Sequence, residues 1–246
     1  MTDAPSAPVP LPVQDLPALL RRSRQEASRA FSDWWNVESS FEVLLGAVLV
    51  QNTSWQNVEV ALRRLRDAGV RRSSDIRELD SARLAELISP AGFRNAKAQA
   101  IIGICQWWCE HVEPAYPPQD GIFARASILP NEETADLRSS LLAVKGIGRE
   151  TADVILLYLL GRRVFVADKY AARLFHHLRA PVPRRYSDFA RLVEDNVDLS
   201  LKGWQDFHAD IDEYAKRYCR DDSAWRTGLL RDVVLVFPPG HPQLTG

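Results

Sequence analysis

The chain has 246 residues, of which 46% are hydrophobic and 26% are charged, and its formal net charge is −1. These values are ordinary for a globular protein, so they exclude a chain that is disordered throughout. The longest apolar run, Val43 to Val50, is too short to span a bilayer, and the first residues lack the pattern of a secretory signal. Three cysteines (Cys105, Cys109 and Cys219) make no disulfide framework and fit a reducing cytosol. We therefore expect a cytoplasmic protein that has no membrane partner.

The first half of the chain shows a spacing of apolar residues that is typical of helices. Residues 41–49 (FEVLLGAVL) are apolar on nearly every side and predict a buried helix. A second helix follows across the loop Gln51-Asn52-Thr53-Ser54, because apolar residues then recur at helical spacing: Val58, Ala61, Leu62 and Leu65. Further helices are predicted around residues 84–88 and over residues 96–108.

The second half predicts a pair of helices joined by a tight turn. Asn131 is expected to cap the first helix, and the second helix begins at Arg149. Residues 164–167 (VFVA) are extended, and Asp168 then occupies the position of an N-cap for the next helix. Residues 189–219 are again helical.

The whole pattern predicts an all-α fold that consists of two helical lobes with a cleft between them. The central lobe is expected to cover about residues 38–160, and the other lobe to combine the N-terminal helix with about residues 161–225. Together the lobes make one domain over residues 15–225. A disordered lead-in (residues 1–14) is expected before this domain, and a C-terminal extension (residues 226–246) after it.

Two glycines one residue apart lie between the paired helices, in the segment VKGIGR. Gly146 and Gly148 allow a tight hairpin that brings backbone N–H groups close to a ligand, at a helix start that suits phosphate. Lys145 and Arg149 add positive charge, and the apolar Ile147 is expected to plug the hairpin into the core. An ordinary corner between two helices would show the same spacing. A dinucleotide-binding fingerprint is disfavoured, because the segment follows a helix and not a strand.

Residues 141–175, LLAVKGIGRETADVILLYLLGRRVFVADKYAARLF, resemble the helix-hairpin-helix and catalytic-aspartate segment of the endonuclease III superfamily. Residues 44–62 (LLGAVLVQNTSWQNVEVAL) resemble the buried helix and following loop of that family, and residues 91–101 (AGFRNAKAQAI) its second DNA-contacting loop. The resemblance extends over roughly residues 38–220. It implies a DNA-repair N-glycosylase with Asp168 as the catalytic carboxylate.

Two departures from the family pattern indicate a branch of the family. Glu150 stands where bifunctional members have a lysine that forms a Schiff base, and a carboxylate cannot do so. Lys169 is a poor substitute, because the residue after Asp168 on a helix points about 100° away. Cys219 is the only cysteine near the C-terminus, where many members bind an iron–sulfur cluster through four, so we expect no cluster and no other cofactor or metal.

With these departures, the QNT loop followed by an aromatic residue and the sequence VADKYA, the chain resembles the 3-methyladenine DNA glycosylase III subfamily. This resemblance implies a monofunctional enzyme that hydrolyses the N-glycosidic bond of alkylated purines, without lyase activity. Asp168 would stabilise the cationic sugar of the transition state and would orient or activate the attacking water. The expected partner is double-stranded DNA with a flipped damaged base, bound by a monomer associated with the nucleoid.

The resemblance also implies roles for aromatic and polar residues outside the hairpin. Trp55 aligns with the base-stacking position, and Trp34 and Trp35 are candidates for the pocket wall or for packing between the lobes. Asn52 occupies the place from which the family inserts a side chain into the gap left by the flipped base; a loop or capping role is the alternative.

Residues of the second loop are expected to contact DNA. Three of them would wedge the opposite strand: Phe93, Arg94 and Asn95. Lys97 would bind phosphate, unless it lies on a solvated helix face. Lys216 and His208 receive no role from the sequence.

Two other functions fit the same sequence. An endonuclease III-like enzyme that acts on oxidised pyrimidines with weak or lost lyase activity differs only at Glu150, Trp55 and the loop around them. A catalytically silent DNA-binding module would use the hairpin alone, although it would not account for Asp168 at the family spacing.

Overall fold

The computed structural model describes residues 7–26, 35–114 and 127–239. In these ranges almost all regular structure is helical, and the predicted all-α class is confirmed. The helices in chain order are α1 (Leu16–Glu26), α2 (Ser40–Leu49), α3 (Trp55–Asp67), α4 (Ser73–Glu78), α5 (Ser81–Leu87), α6 (Arg94–His111), α7 (Thr134–Ala143), α8 (Arg149–Tyr158), α9 (Lys169–His177), α10 (Tyr186–Glu194), α11 (Leu201–Tyr218) and α12 (Asp222–Thr227). The same ranges contain two short strands, β1 (Val9–Pro12) and β2 (Val233–Val236). Among the described helices none combines the length and apolar character needed to cross a membrane.

The chain divides into two compact units, each described here by itself. The continuous unit is Trp35–Arg162, and the discontinuous unit combines Met1–Trp34 with Arg163–Gly246. The sequence predicts a central lobe over about residues 38–160. Both of these limits lie a few residues inside the observed limits of the continuous unit.

Helix α2 is the centre of the continuous unit. It packs against α3, α6 and α8, and every residue from Glu42 to Leu49 is buried. The side chain of Ser39 caps α2 by accepting a hydrogen bond from the N–H of Glu42. Glu42 is buried with its charge compensated, because its carboxylate lies 2.6 Å from the guanidinium of Arg66. A helix covered on all sides has no polar face, which is why residues 41–49 are apolar apart from the ion-paired Glu42.

Helix α11 is the centre of the discontinuous unit, where α1 and α9 pack against it. An aromatic cluster, to which α11 itself contributes the last two members, fills the core of this unit: Phe165, Phe175, Phe189, Trp204 and Phe207. An ion pair also joins α1 to α11, because Nε of Arg24 lies 2.9 Å from Oδ1 of Asp210. Burial raises the pKa of Asp210 to about 7, an effect that Arg24 opposes.

The predictions for both chain ends require correction. Residues 1–14 were expected to be a disordered lead-in, but Val9–Pro12 forms β1, and Val13–Asp15 forms a 3₁₀ turn. β1 pairs in parallel with β2, so the predicted extension over residues 226–246 contributes a strand to the discontinuous unit. Four residues with two prolines carry too weak a strand pattern to be recognised without the partner strand.

Two helix starts also differ from the sequence prediction. Asn131 does not cap α7, which begins at Thr134 after a turn in which the N–H of Glu132 donates to the carbonyl of Leu129 at 3.0 Å. Helix α6 begins at Arg94, two residues before the predicted start.

We predict that His208 makes the stability of the protein depend on pH. Burial in α11, aided by the positive charge of Lys216, lowers the pKa of His208 to about 3. In the unfolded chain a histidine titrates near 6.5, so the unfolded state binds more protons between these two values. Stability should therefore fall by up to about 1.4 kcal/mol for each pH unit as the pH drops from 6.5 towards 3. Denaturant unfolding of the His208→Gln variant should show a flatter dependence over this window.

The matched control is His176→Gln, because His176 is an exposed histidine in the same unit. Its pH–stability curve should keep the wild-type shape. A His208→Gln curve parallel to that of the wild type would show that His208 does not carry the effect.

Candidate active site

Asp168 is the N-cap of α9 in the discontinuous unit, as the sequence predicts. Its Oδ1 accepts a hydrogen bond from the backbone N–H of Ala171 at 2.7 Å, and the residue is only 7% exposed. The N-terminus of a helix carries a partial positive charge, which attracts a carboxylate at this position. The local structure therefore fixes both the position and the electrostatic environment of this carboxylate.

The extended segment before Asp168 is held by helix α10. The backbone N–H of Phe165 donates to Oε1 of Glu194 at 2.8 Å, and that of Ala167 donates to the hydroxyl of Tyr186 at 3.2 Å. These two partners are the first and last residues of α10. An extended segment without a partner strand needs such side-chain acceptors, because buried N–H groups must be paired. The backbone that leads to Asp168 is thus rigidly placed.

The hairpin between α7 and α8 has the features that the two glycines indicated. Gly146 has a φ of +90°, and a Cβ there would lie 2.7 Å from the Cβ of Ala100, so only glycine fits. Ile147 is 5% exposed, which confirms that it plugs the hairpin into the core. Gly148 is the N-cap of α8 and faces open space, and it has no side chain that could cap the helix.

The charged residues around the hairpin are accessible. Lys145, Arg149 and Glu150 are all exposed, and the last two lie in the first turn of α8. The first N–H groups of a helix have no partner within the helix, so this end of α8 offers donors to an anion. Glu150 occupies the same turn, where the helix dipole favours a carboxylate.

Trp55 is the first residue of α3 and is supported from behind by a second tryptophan. The rings of Trp35 and Trp55 meet edge to face with their centroids 5.5 Å apart, and Trp35 makes a similar contact with Tyr158 at 5.4 Å. Trp35 is 5% exposed, so it backs Trp55 and presents little surface of its own. Trp34, the other predicted wall residue, lies outside the described residues.

Gly46 provides the space that this arrangement of rings needs. A Cβ at this position would lie 3.1 Å from the Trp55 ring and 3.4 Å from the Trp35 ring. A glycine within a helix costs roughly 0.5–1 kcal/mol relative to alanine, which is offset here by the close approach of two indoles. Gly46 was not recognised from the sequence, although a glycine inside a buried helix indicates a close contact.

The two predicted DNA-contacting loops of the continuous unit hold exposed side chains on unusual backbone. Asn52 is exposed and has a φ of +55°, which asparagine tolerates better than most residues. Phe93 also has a positive φ of 46°, and it is 71% exposed even though it is a large apolar residue. Arg94 and Asn95 follow it and are exposed as well.

Lys97 does not take the role that the sequence suggested. It is 3% exposed, and its ammonium donates to the carbonyl of Leu49 at 2.9 Å and to that of Ala91 at 2.6 Å. Burial lowers the pKa of this lysine. The prediction that Lys97 contacts phosphate is therefore wrong. The buried ammonium group donates instead to two carbonyls, one at the end of α2 and one at the end of the 3₁₀ turn Ser89–Ala91.

Lys216 forms an ion pair on α11. Its ammonium lies 2.6 Å from Oδ2 of the buried Asp212 and 5.0 Å from the centroid of the Tyr170 ring. Burial acts to lower the pKa of Lys216, but the pairing with Asp212 outweighs it and the pKa is raised. A lysine that is to act as a nucleophile needs the opposite shift.

Cys219, in the C-terminal region, is buried at the end of α11, and burial raises its pKa to about 12. Within residues 7–26, 35–114 and 127–239, no group of three or more His, Cys, Asp or Glu side chains is arranged to hold a metal ion.

Comparison with known proteins identifies the family of this chain. Residues 45–198 match the model of the HhH-GPD superfamily of base excision DNA repair proteins. The chain belongs to this family.

The chain is similar in sequence to known proteins and in fold to solved structures. A Methanocaldococcus jannaschii protein described as a DNA repair glycosylase is 35% identical over 189 residues, which is 76% of this chain and 82% of that protein. A structure of the Helicobacter pylori 3-methyladenine DNA glycosylase bound to 1,N6-ethenoadenine is 26% identical, with a TM-score of 0.66 over 84% of this chain and 98% of the other. A non-covalent endonuclease III–DNA complex shares the fold at 18% identity, with a TM-score of 0.63 over 86% and 89% of the two chains.

We predict that replacing Lys97 lowers the stability of the protein, whereas replacing Lys145 lowers its affinity for DNA, although both are lysines of the continuous unit. Lys97→Met leaves two buried carbonyls without their donor, so the free energy of unfolding should fall by at least about 1–3 kcal/mol. Lys145→Met removes an exposed charge, so stability should stay unchanged while DNA affinity falls and its salt dependence decreases by about one unit of slope. Denaturant unfolding and a salt titration of DNA binding measure the two effects. A stable Lys97→Met variant with a reduced salt slope would restore the phosphate role.

Proposed function

We propose that this base excision repair protein is a monofunctional DNA N-glycosylase that removes alkylated purines of the 3-methyladenine type by hydrolysis. The observation that carries the proposal is the buried carboxylate of Asp168, fixed at the positive end of α9 at the family position. Double-stranded DNA with a flipped damaged base is the partner under this proposal, and the protein acts as a monomer in the cytoplasm at the nucleoid.

The chemistry demands little besides a fixed negative charge. A purine alkylated at N3 is cationic and leaves readily, so no strong general acid is needed. As the bond breaks, the sugar becomes cationic, and the Asp168 carboxylate stabilises this charge and orients the attacking water. A group held in advance by Ala171 and α10 needs no rearrangement at that moment.

Trp55 supplies the aromatic face for the base. A cationic ring stacked on an indole gains about 0.5–2 kcal/mol, and more when water is excluded. The contact with Trp35 and the space left by Gly46 fix the orientation of Trp55. This preference for a flat cationic base supports an alkylated purine over an oxidised pyrimidine. The likeness to a 3-methyladenine glycosylase bound to an ethenoadenine supports it further.

The residues at two positions where a lysine nucleophile would be sought support the monofunctional assignment. Glu150 occupies the family position of the Schiff-base lysine, and Lys216 is paired with Asp212 with a raised pKa. We propose accordingly that the enzyme leaves an intact abasic site. We also propose that no iron–sulfur cluster or other cofactor takes part, because one C-terminal cysteine cannot replace four.

The continuous unit provides the DNA contacts under this proposal. Lys145 and Arg149 attract phosphate to the N–H groups at the start of α8. Asn52 fills the gap left by the base, and the exposed Phe93 with Arg94 separates the opposite strand.

Asp168→Asn should reduce base excision by at least about a hundredfold, which is the usual effect of losing a catalytic electrostatic group. The fold and DNA binding should persist, because asparagine accepts the same capping hydrogen bond from Ala171. Asp221→Asn is the matched control, since Asp221 caps α12 in the same unit through the N–H of Ala224. Single-turnover excision should be normal in this control. Near wild-type excision by Asp168→Asn would remove Asp168 from the mechanism.

Trp55→Ala should slow excision by roughly ten- to a hundredfold, as expected for the loss of about 1–3 kcal/mol of base stacking. Affinity for undamaged duplex should change little, because it depends mainly on phosphate contacts. Trp108→Ala, which truncates a half-buried tryptophan of α6, controls for the loss of an indole. An equal loss of affinity for damaged and undamaged duplex would instead make Trp55 a folding residue.

A further inference from the structure

One side chain joins the loop that carries Asn52 to the hairpin. Nε2 of Gln51 donates to the backbone carbonyl of Gly146 at 3.3 Å and to Oγ1 of Thr151, in the first turn of α8, at 3.0 Å. A backbone carbonyl can only accept, so the amide nitrogen of Gln51 must face the hairpin, and its two N–H groups serve two partners. These partners lie about a hundred residues further along the chain, so the bonds are tertiary contacts and not part of a turn.

The loop on the other side of Gln51 is too short and too well bonded to move independently of it. The N–H of Thr53 donates to the carbonyl of Val50 at 3.2 Å, and its hydroxyl accepts from Asn57 at 2.9 Å. Asn52 sits inside this turn, and Trp55 begins α3 directly after it. Any shift of Gln51 is therefore passed on both to Asn52, which fills the gap left by the flipped base in the proposed function, and to Trp55, which stacks on that base.

The hairpin side of the contact is closely constrained as well. The carbonyl that Gln51 binds belongs to Gly146, whose φ of +90° and close approach to Ala100 leave the hairpin little freedom. Thr151 is buried and lies on the same turn of α8 whose N–H groups would receive a phosphate. The two bonds of Gln51 thus form only when the hairpin and the helix start are both in this arrangement.

We propose that Gln51 is a positioning residue that couples phosphate binding at the hairpin to the placement of Asn52 and Trp55. A phosphate held at the start of α8 orders Gly146 and Thr151, and Gln51 transmits this order to the loop. Gln51 then acts on lesion recognition without contacting the base. This inference rests on the proposed function, because it assigns a control of that same site.

Two isosteric variants and their combination test the coupling. Gln51→Leu removes the donor and Thr151→Val removes one acceptor. Gln106→Leu is the matched control, because Nε2 of Gln106 donates to Oε1 of Glu110 at 2.8 Å in α6, outside the loops that are expected to contact DNA. Two quantities are measured: the single-turnover excision rate, and the ratio of affinities for a duplex with a tetrahydrofuran abasic analogue and an undamaged duplex. Both single variants should lose about tenfold in each quantity, the scale of one well-aligned interaction. Thermal midpoint and affinity for undamaged duplex should remain unchanged, as should every property of Gln106→Leu.

The double variant should be no worse than either single variant, since both remove the same contact. Additive losses would overturn the proposal. A loss in Gln51→Leu with normal behaviour of Thr151→Val would also overturn it, because Gln51 would then act on the DNA directly.

A wild-type protein that fails to release any base yet prefers the abasic duplex would refute only the proposed function, and the affinity ratio would still test the coupling. A wild type that shows neither property would refute both.

Discussion

The hydrogen bond from the N–H of Ala171 to the carboxylate of Asp168 sets the position of the candidate catalytic group. A buried carboxylate is costly unless its charge is compensated, and here the start of α9 provides both a donor and a favourable dipole. The same bond fixes the direction of the side chain. Helix α10 then fixes the backbone before it through Glu194 and Tyr186. Position and charge are thus determined by local structure before any substrate arrives.

The start of α8 differs from the start of α9, because no side chain of its N-cap residue bonds to the first N–H groups of the helix. Its N-cap is Gly148, which brings no side chain to the helix end, and Lys145 and Arg149 stand exposed beside it. One helix start is thus occupied by a carboxylate of the protein, and the other offers its N–H groups to an external anion. This difference follows from a single residue type at each N-cap. Under the proposed function, it assigns two short sequence motifs to two separate tasks, the stabilisation of a cation and the binding of phosphate.

Features set by local sequence could be predicted, and features set by tertiary contacts could not. The cap at Asp168, the plug at Ile147 and the buried helix α2 follow from spacing and residue type, and the structure has all three. Lys97 was misjudged because a lysine in a polar stretch usually faces solvent, and nothing local shows that two helix ends place their carbonyls around it. Strand β1 was missed because its partner lies more than 200 residues away in the chain. The bonds of Gln51 were missed for the same reason, since their acceptors belong to a different segment.

The substrate and the reaction are tested together by incubating the wild-type protein with duplexes that contain 3-methyladenine, 7-methylguanine or thymine glycol, and by scoring base release separately from strand cleavage. Borohydride is added in parallel to trap any Schiff base. We expect release of 3-methyladenine, an intact abasic strand and no trapped adduct, because Asp168 supplies charge and Glu150 cannot form an imine. Release of thymine glycol with strand cleavage and a trapped adduct would contradict the account, and would make the protein a bifunctional enzyme for oxidised pyrimidines.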